Sequence, residues 1–303
     1  IKGMESTLVA KYGYRFNGVY TSGLRGKNPT TLFKAIFLLS FGFIQTILIF
    51  IRFRPHKVIG MGGYASGVGG IVSKIFFTSL VIHEQNTIPG TTNKVLSRIA
   101  QKCFQAFDNT FHEDINAITT GNPILFTPNS KSTPNSIKNI LILGGSLGAK
   151  KINQTIPTIK TPLNIWHQTG EKHLMEVKAL YTDSIHSDVK IEAFIDNMAE
   201  AYVWADLVIS RAGAMTVSEL IASKTIAILV PFPYAIDNHQ TVNAEHLSKN
   251  GAGIIIQESS FSGEIIDKEL LALDSIKIHE MTKKLELLSV PNPEKIIADY
   301  LLC

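Results

Sequence analysis

The sequence predicts an α/β protein with two doubly wound domains, each built on a parallel sheet. Three observations predict this fold class. Short apolar runs alternate with helix-like stretches almost throughout the 303 residues. Two of these runs, at 57–59 and 139–143, lead into Gly-rich turns. Residues 121–134 are rich in Asn, Pro, Ser and Thr, which is typical of a linker between two domains.

Seven apolar runs have the length and the flanking turn residues of buried parallel strands. A helical pattern follows each of them, so ligands should bind at the carboxyl ends of the strands. The last helical stretch, 278–302, should be broken by Pro291 and Pro293. The predicted strands are 57–59, 80–83, 139–143, 164–167, 189–193, 206–210 and 225–230.

Composition excludes several classes of protein. Apolar residues make up 45% of the chain and charged residues 18%, which suits a large core. The net charge of +4 is too small to predict nucleic-acid binding. Cys103 and Cys303 provide neither a disulfide framework nor a zinc set, which favours a reducing compartment. The chain begins Ile-Lys-Gly with no signal-peptide pattern, and we expect its natural start to lie further upstream.

The segment 206–219, DLVISRAGAMTVSE, is the strongest site candidate. An apolar run ends there in a Gly-containing turn at the start of a helix, where backbone N–H groups and the helix dipole favour an anion. Glu219 has the wrong charge for a phosphate but can accept hydrogen bonds from sugar hydroxyls. Arg211 either offsets diphosphate charge or forms a structural ion pair. One segment could therefore hold a diphosphate and a ribose.

A second candidate is the turn in 139–149, NILILGGSLGA. Gly144, Gly145 and Gly148 would let the backbone approach a phosphate, and tight packing explains them equally well. The turn lacks the Gly-Lys-Ser/Thr ending of an ATPase loop. Another Gly-rich turn, at 60–70, follows a strand of the first half. Two such turns in two domains suggest a cleft lined from both sides.

The run 35–51 contains no charged residue, and 12 of its 17 residues are Ile, Leu or Phe. Lys34, Gln45 and Arg52 fall on one stripe at 100° per residue, and Lys27, Arg52, Arg54 and Lys57 flank the run. We interpret 34–54 as a helix lying in an anionic membrane interface. A buried domain helix and a true membrane span are the alternatives.

A set of segments extends over most of the chain: SGLRGK (22–27), GMGGYASG (60–67), HEQNTIPGTTNK (83–94), GNP (121–123), LGGSLGAKKIN (143–153), WHQTG (166–170), 194–219 and PFPYAIDNHQTVNA (231–244). In order and in spacing, these segments together resemble the MurG family of bacterial glycosyltransferases.

The resemblance implies the two-domain GT-B fold, with two Rossmann-like domains and a cleft between them. We expect an acceptor- and membrane-facing domain at 1–122, a linker at 123–136 and a UDP-GlcNAc-binding domain at 137–303, with the last helix packing back on the first domain. By resemblance, Ser146 contacts the diphosphate, Ile195 meets the uracil through its backbone, and Gln240 binds the hexose hydroxyls. The full set of implied donor contacts is Asn86, Ser146, Ile195, Ala214, Met215, Thr216, Val217, Ser218, Glu219 and Gln240.

The implied reaction transfers GlcNAc from UDP-GlcNAc, with inversion, to the C4 hydroxyl of undecaprenyl-diphospho-MurNAc-pentapeptide. This step belongs to peptidoglycan synthesis, and so to cell shape and division, at the cytoplasmic face of the inner membrane. No paired-carboxylate DxD motif is present, so we expect neither a metal nor a cofactor. Helix N-termini would stabilise the leaving UDP.

Two positions depart from the family pattern. The family's His-bearing first Gly-rich loop would precede Ile1, and Leu125 stands where the family commonly has Arg. His83 and Glu84, at the end of a predicted strand, are then the candidate catalytic residues, while a structural role is the alternative for His83. Two other functions stay open: a UDP-sugar-binding but catalytically impaired chain, and a diacylglycerol glycosyltransferase.

Overall fold

A computed structural model describes residues 4–23, 28–126, 131–145, 148–182 and 185–303. The chain divides into two compact units. The first unit comprises Ile1–Thr120 with Ile297–Cys303, and the second comprises Gly121–Ile296. Each unit is built on one parallel sheet among the described residues, as the alternation of apolar runs predicts.

The first unit contains a four-stranded sheet of order β1-β2-β3-β4. Neighbouring residues of β2 point to opposite faces, so Leu80 and Ile82 pack into one core cluster while Val81 packs into another. Because both faces are buried, the middle of β2, residues 80–82, is a continuous apolar run. The strands are β1 (Lys57–Gly60), β2 (Ser79–Glu84), β3 (Lys102–Gln105) and β4 (Ile118–Thr119), and the helices are α1 (Met4–Lys11), α2 (Pro29–Phe53), α3 (Gly63–Ile75) and α4 (Thr91–Leu96).

The end of the chain belongs to the first unit. The last helix, α12, spans Pro293–Leu302, and Ile297 joins Val81 and Phe104 in a core cluster. The Tyr300 ring meets Phe104 edge-on at 5.6 Å. Lys57 Nζ donates to the Tyr300 carbonyl at 2.8 Å. These contacts cover the sheet face opposite the Leu80 cluster.

The second unit contains a six-stranded parallel sheet of order β10-β9-β8-β5-β6-β7. Strand order reverses at β5, because β6 lies on one side of it and β8 on the other. Such a switch point opens a crevice at the carboxyl ends of the two central strands. The strands are β5 (Asn139–Leu143), β6 (Asn164–Gln168), β7 (Asp188–Glu192), β8 (Leu207–Ser210), β9 (Ile226–Leu229) and β10 (Ile254–Ile255), and the helices are α5 (Lys150–Thr155), α6 (Leu174–Leu180), α7 (Met198–Trp204), α8 (Ala214–Ser223), α9 (His239–Lys249), α10 (Gly263–Leu271) and α11 (Ser275–Leu288).

The seven predicted strands are all present, and no strand end differs from its prediction by more than one residue. The helical stretch at the end of the chain is broken as predicted, because α11 ends at Leu288 and Pro293 begins α12. Three strands were not predicted. β4 and β10 have only two residues each, and β3 mixes polar and apolar residues as KCFQ. Neither β3 nor β4 carries the apolar run on which the prediction relied.

Helix α2 contains the apolar run and lies against α3 on one side. Ala35, Thr46 and Phe50 of this helix are buried. The interpretation of α2 as a buried domain helix is wrong, because only 17% of its most apolar window is buried. By length and composition it is also the one described helix that could cross a membrane. The exposed apolar side chains are Phe33, Ile36, Phe37, Phe41, Ile44, Leu48, Ile51 and Phe53.

Candidate functional site

The crevice at the switch point of the second unit brings two predicted motifs together. Gly144 and Gly145 follow β5, and the turn 211–213 follows β8. These strands are neighbours in the sheet, and Leu143 pairs with Ser210 at their carboxyl ends. Two segments separated by more than 60 residues in the sequence therefore line one edge. This is the place where open parallel sheets bind ligands.

The turn after β8 presents the start of α8. Gly213 is the N-cap and provides no side chain. The first helical bond runs from the Val217 N–H to the Gly213 carbonyl at 3.0 Å, so the N–H groups of Ala214, Met215 and Thr216 have no acceptor within the described chain. Such groups, with the helix dipole, favour an anion.

Val217 and Ser218 differ from the residues of that first turn. Val217 is completely buried, and its N–H is used within the helix. Ser218 is also buried, and its Oγ accepts a hydrogen bond from Asn122 Nδ2 at 2.9 Å. The geometry gives both side chains packing roles, so the predicted donor contacts of these two residues stay without support from the structure.

Glu219 is partly buried on α8, next to α7. Its Oε2 accepts a hydrogen bond from Tyr202 Oη at 2.9 Å. Burial raises the pKa of Glu219 above its ordinary value, and the bond from Tyr202 opposes that rise. Thr216 and Glu219 lie three residues apart and hence on one helix face, separated by about 4.5 Å along the axis. An anion at the first turn and a hydroxyl-bearing sugar one turn further on would fit this spacing.

The turn after β5 needs glycine for reasons of backbone geometry. Gly145 and Gly148 have φ values of +76° and +75°, a region that favours glycine. A Cβ on Gly148 would lie 2.2 Å from the Thr169 carbonyl oxygen, and one on Gly144 would lie 2.7 Å from the Ala149 nitrogen. Backbone conformation and packing together therefore explain these residues, and a phosphate contact stays a prediction. Ser146 lies outside the described residues.

Ile195 follows β7 at the same edge of the sheet. Its side chain is buried. Neither its N–H nor its carbonyl bonds to another residue in the part of the chain that the structure describes. Buried backbone groups are usually paired, so these two groups are suited to a ligand such as a uracil ring.

Gln240 lies in the first turn of α9. Its Oε1 accepts a hydrogen bond from the Phe232 N–H at 2.9 Å, which fixes the orientation of the amide. The Nε2 group keeps two donors for a sugar hydroxyl. The neighbouring His239 is partly exposed and bonds through Nδ1 to the Ile236 carbonyl at 2.6 Å.

Arg211 forms the structural ion pair that was one of its two interpretations. Its guanidinium donates to the carbonyls of Val230 and Pro231, and it makes a short contact with Glu258. It also lies 5.3 Å from the centre of the Phe232 ring. These contacts brace the segment that leads to Gln240. The Arg211 charge is then paired with Glu258 and is not free to contact a diphosphate.

His83 lies at the end of β2 and is completely buried. Its Nδ1 is 3.2 Å from Gln85 Nε2, and its Nε2 is 3.3 Å from Thr120 Oγ1. Both ring nitrogens therefore have protein partners. These contacts support the structural role that was the alternative to catalysis.

Glu84 is buried and organises the loop after β2. Its Oε1 accepts from the N–H and Nδ2 of Asn86, and its Oε2 accepts from the Gly90 N–H and Asn93 Nδ2. A carboxylate that already accepts four such bonds has little acceptor capacity left for the proton of a substrate hydroxyl. The predicted catalytic role of Glu84 has no support in this geometry, whereas Asn86 is held in place at the edge of the sheet.

Three residues inside quoted motifs were given no role from the sequence. Asn122 bonds Ser218 on α8, Asn243 Nδ2 donates to the Ala212 carbonyl at 3.2 Å, and Tyr202 bonds Glu219. All three are buried and hold the α8 turn. A polar residue inside a motif was the only sequence signal for such a role. The sequence does not show its hydrogen-bond partner, which lies far away along the chain.

Two further expectations concern Leu125 and metal binding. Leu125, at the position where the family commonly has Arg, is 93% exposed. Within the described residues, no three His, Cys, Asp or Glu side chains form a group that could hold a metal ion. Metal-independent transfer stays a prediction.

The chain matches two models of glycosyltransferase family 28: the N-terminal domain over residues 1–105 and the C-terminal domain over residues 139–295. A UDP-N-acetylglucosamine--N-acetylmuramyl-(pentapeptide) pyrophosphoryl-undecaprenol N-acetylglucosamine transferase of Vesicomyosocius okutanii is 50% identical, covering 99% of this chain and 86% of that protein. The enzyme of the same name from Methylococcus capsulatus is 41% identical, covering 95% and 82%.

Solved structures agree with these matches. The crystal structure of Acinetobacter baumannii MurG superposes with a TM-score of 0.83 at 33% identity, covering all of this chain and 88% of that one. The glycosyltransferase of kitacinnamycin superposes with a TM-score of 0.67 at 10% identity, which shows the fold alone. The two parallel-sheet units thus have the GT-B fold, and the chain belongs to the MurG family within glycosyltransferase family 28.

Proposed function

We propose that this chain is a hexosyltransferase that moves GlcNAc from UDP-GlcNAc to the C4 hydroxyl of undecaprenyl-diphospho-MurNAc-pentapeptide, with inversion. The transferases that are 50% and 41% identical over nearly the whole chain carry this donor and acceptor in their names. The structural feature that best supports the proposal is the first turn of α8. N–H groups without an acceptor among the described residues lie there on the same helix as Glu219, one turn apart.

The donor would bind along this helix. The diphosphate would accept hydrogen bonds from the N–H groups of Ala214, Met215 and Thr216, and the ribose hydroxyls would donate to Glu219. Ile195 would meet the uracil through its backbone groups, which have no partner in the described part of the chain. Gln240 Nε2 would donate to the hexose.

The chemical step displaces UDP from the anomeric carbon. The acceptor hydroxyl forms the new C–O bond as the bond to the diphosphate breaks, and the leaving oxygen takes the electron pair. The α8 dipole and its N–H groups stabilise the charge that grows on UDP, because they are oriented before the reaction begins. The proton of the hydroxyl goes to a general base, a role for which the contacts of His83 and Glu84 offer no support.

Radiolabelled UDP-GlcNAc tests the proposal when it is offered with the undecaprenyl-linked muramoyl acceptor or with diacylglycerol. We expect label only in the muramoyl lipid. Label in diacylglycerol would favour the other glycosyltransferase function. Binding of UDP-GlcNAc by calorimetry without any transfer would favour the binding-only chain.

We also propose that the protein is peripheral at the cytoplasmic face of the cell membrane and binds it through α2. Phe33, Phe37 and Leu48 belong to an outward apolar face of this helix, and all three are more than half exposed. Lys34 and Arg52 lie at the border of that face by helical geometry and are exposed. Apolar burial and attraction to anionic lipid would act together. A lipid-linked acceptor makes this location useful.

The membrane proposal is tested with anionic liposomes and the variant Phe37→Ser/Phe41→Ser/Leu48→Ser. We expect the variant to lose co-sedimentation while keeping its circular dichroism. The matched control, Leu271→Ser/Leu287→Ser, changes two exposed leucines of the second unit and should bind like the parent. Phe43 and Ile47 are poorer targets because they are half-buried. Unchanged binding of the folded α2 variant would refute the proposal, and resistance to alkaline extraction would favour a span.

A further inference from the structure

Tyr202 lies beneath the proposed ribose site and is completely buried. It belongs to α7, which packs against α8. Its Oη donates to Glu219 Oε2 at 2.9 Å. Within the described residues, no other group bonds the Glu219 side chain. The orientation of this carboxylate therefore depends on one phenol.

Tyr202 is itself held at its ring and at its backbone carbonyl. The Phe126 ring stacks on the Tyr202 ring at 5.5 Å, with 21° between the planes. Lys131 Nζ donates to the carbonyls of Tyr202 and Ala205 and to Thr225 Oγ1, at 2.9, 2.5 and 2.8 Å. These bonds fix the C-terminal turn of α7, where a cation is also favoured by the helix dipole. The Tyr202 hydroxyl can then move little relative to α8.

The bond has a consequence for the oxygens of Glu219. A free glutamate side chain has several rotamers, and only some direct both oxygens toward a ligand. The hydrogen bond from the Tyr202 hydroxyl to Oε2 selects among these rotamers and still leaves acceptor capacity on both carboxylate oxygens. A bond from O–H to a carboxylate is among the stronger hydrogen bonds. Glu219 is therefore oriented before the nucleotide arrives.

We propose that Tyr202 is a positioning residue for the donor: it orients the Glu219 carboxylate to accept the two ribose hydroxyls of UDP-GlcNAc. This inference rests on the proposed function. The stacking of Phe126 on Tyr202 and the bond from Tyr202 to Glu219 would then contribute to the selectivity for a ribonucleotide. Tyr202 touches neither the donor nor the acceptor and acts through Glu219.

A purely structural tyrosine would behave differently. Removal of its hydroxyl would lower stability and change the kinetics equally for every donor. A positioning tyrosine matters only when ribose hydroxyls are present. The penalty of Tyr202→Phe should therefore depend on the donor, and a pair of donors can separate the two roles.

The experiment compares UDP-GlcNAc with its 2′,3′-dideoxyuridine analogue in the parent and in Tyr202→Phe. We expect Tyr202→Phe to raise KM for UDP-GlcNAc by about tenfold while kcat changes by less than about twofold. With the dideoxy donor, the two proteins should agree within about twofold in kcat/KM. The matched control is Tyr181→Phe, which removes another buried hydroxyl of the same unit, one that bonds His167 at 3.0 Å. Its effect should not depend on the donor.

The results distinguish failure of the positioning role of Tyr202 from failure of the proposed ribose contact of Glu219. If the parent prefers UDP-GlcNAc to the dideoxy donor but Tyr202→Phe loses equally with both, or with neither, the positioning role is overturned. If the parent does not distinguish the donors at all, the proposed ribose contact of Glu219 is itself wrong.

If Tyr202→Phe does not fold, a second variant tests the same positioning role. Phe126→Leu keeps the Tyr202 hydroxyl but removes the stacked ring. It should give a smaller penalty of the same kind, confined to UDP-GlcNAc, and an equal effect on both donors would count against the proposal.

Discussion

Glu219 shows how one residue links burial to binding. Burial raises its pKa because an ionised carboxylate is poorly solvated there, and the Tyr202 hydroxyl limits the rise by bonding the charged form. The ionised form accepts hydrogen bonds through both oxygens, whereas the protonated form has one acceptor fewer. Donor binding should therefore depend on the ionisation of this one group.

We expect the affinity for UDP-GlcNAc to fall as the pH drops through the raised pKa of Glu219. Protonation removes the charge and one acceptor, so KM for the donor should rise on the acid side while kcat changes less. In Glu219→Gln, KM should be raised at every pH, by about tenfold near neutrality, and this acid limb should be lost. Initial rates across a pH series measure both effects. An unchanged acid limb in the variant would assign the titration to another group, such as the diphosphate.

At the scale of the element, the turn between β5 and α5 tests why its glycines are needed. Gly148 combines a positive φ with a clash, since its Cβ would lie 2.2 Å from the Thr169 carbonyl. Gly145 has the same positive φ, but a Cβ there would meet nothing within 4 Å in the described structure. The two positions therefore separate backbone strain from packing.

Gly148→Ala should lower the free energy of unfolding by about 3 kcal/mol or more, because strain and overpacking add. Gly145→Ala should lose only about 1 kcal/mol from strain. Urea denaturation measures both values. Equal losses at the two positions would show that the predicted clash is relieved by a small shift of the turn. A stable Gly145→Ala protein with weakened UDP-GlcNAc binding would support the phosphate contact.

The segment from β9 to α9 is braced by Arg211. Because its guanidinium bonds two carbonyls and Glu258, we expect Arg211→Met and Glu258→Gln each to destabilise the protein. In a double-mutant cycle the coupling between the two side chains should be about 1–2 kcal/mol. Glu258→Gln should leave the UDP-GlcNAc KM within about twofold of the parent. A cycle without coupling, together with a KM effect confined to Arg211→Met, would instead support a diphosphate contact.

At the scale of the whole molecule, the sequence predicted the fold well because buried parallel strands leave a strong pattern. The runs 139–143 and 206–210 became neighbouring central strands, and the glycine turns after them now share one edge. The strands β4 and β10 were missed because a pair of residues has no pattern.

The candidate site was only partly predictable. Motif residues such as Glu219 and Gln240 could be named, but Tyr202, Asn122 and Asn243 act through partners that lie 17, 96 and 31 residues away. Periodicity and spacing do not show such pairs. The role of Arg211 was not predictable either, because an ion pair with Glu258, 47 residues away, leaves no trace in local sequence.

Hydrogen exchange of the full chain tests the placement of the donor in the second unit. We expect UDP-GlcNAc to slow exchange at Ala214, Met215 and Thr216 and at Ile195, because bound oxygen atoms would replace water as their partners. The amides of α10, away from the carboxyl edge of the sheet, serve as the internal control. Protection confined to α10, or spread equally over the unit, would contradict the proposed site.

The central claim is that the chain transfers GlcNAc to the lipid-linked muramoyl sugar with inversion. It is tested most directly by NMR of the product formed from 13C-labelled UDP-GlcNAc and that acceptor. The account predicts a labelled GlcNAc joined in β configuration to C4 of the muramoyl residue, with one UDP released per linkage. An α linkage, attachment at another position, or UDP-GlcNAc that is bound but never transferred would contradict it.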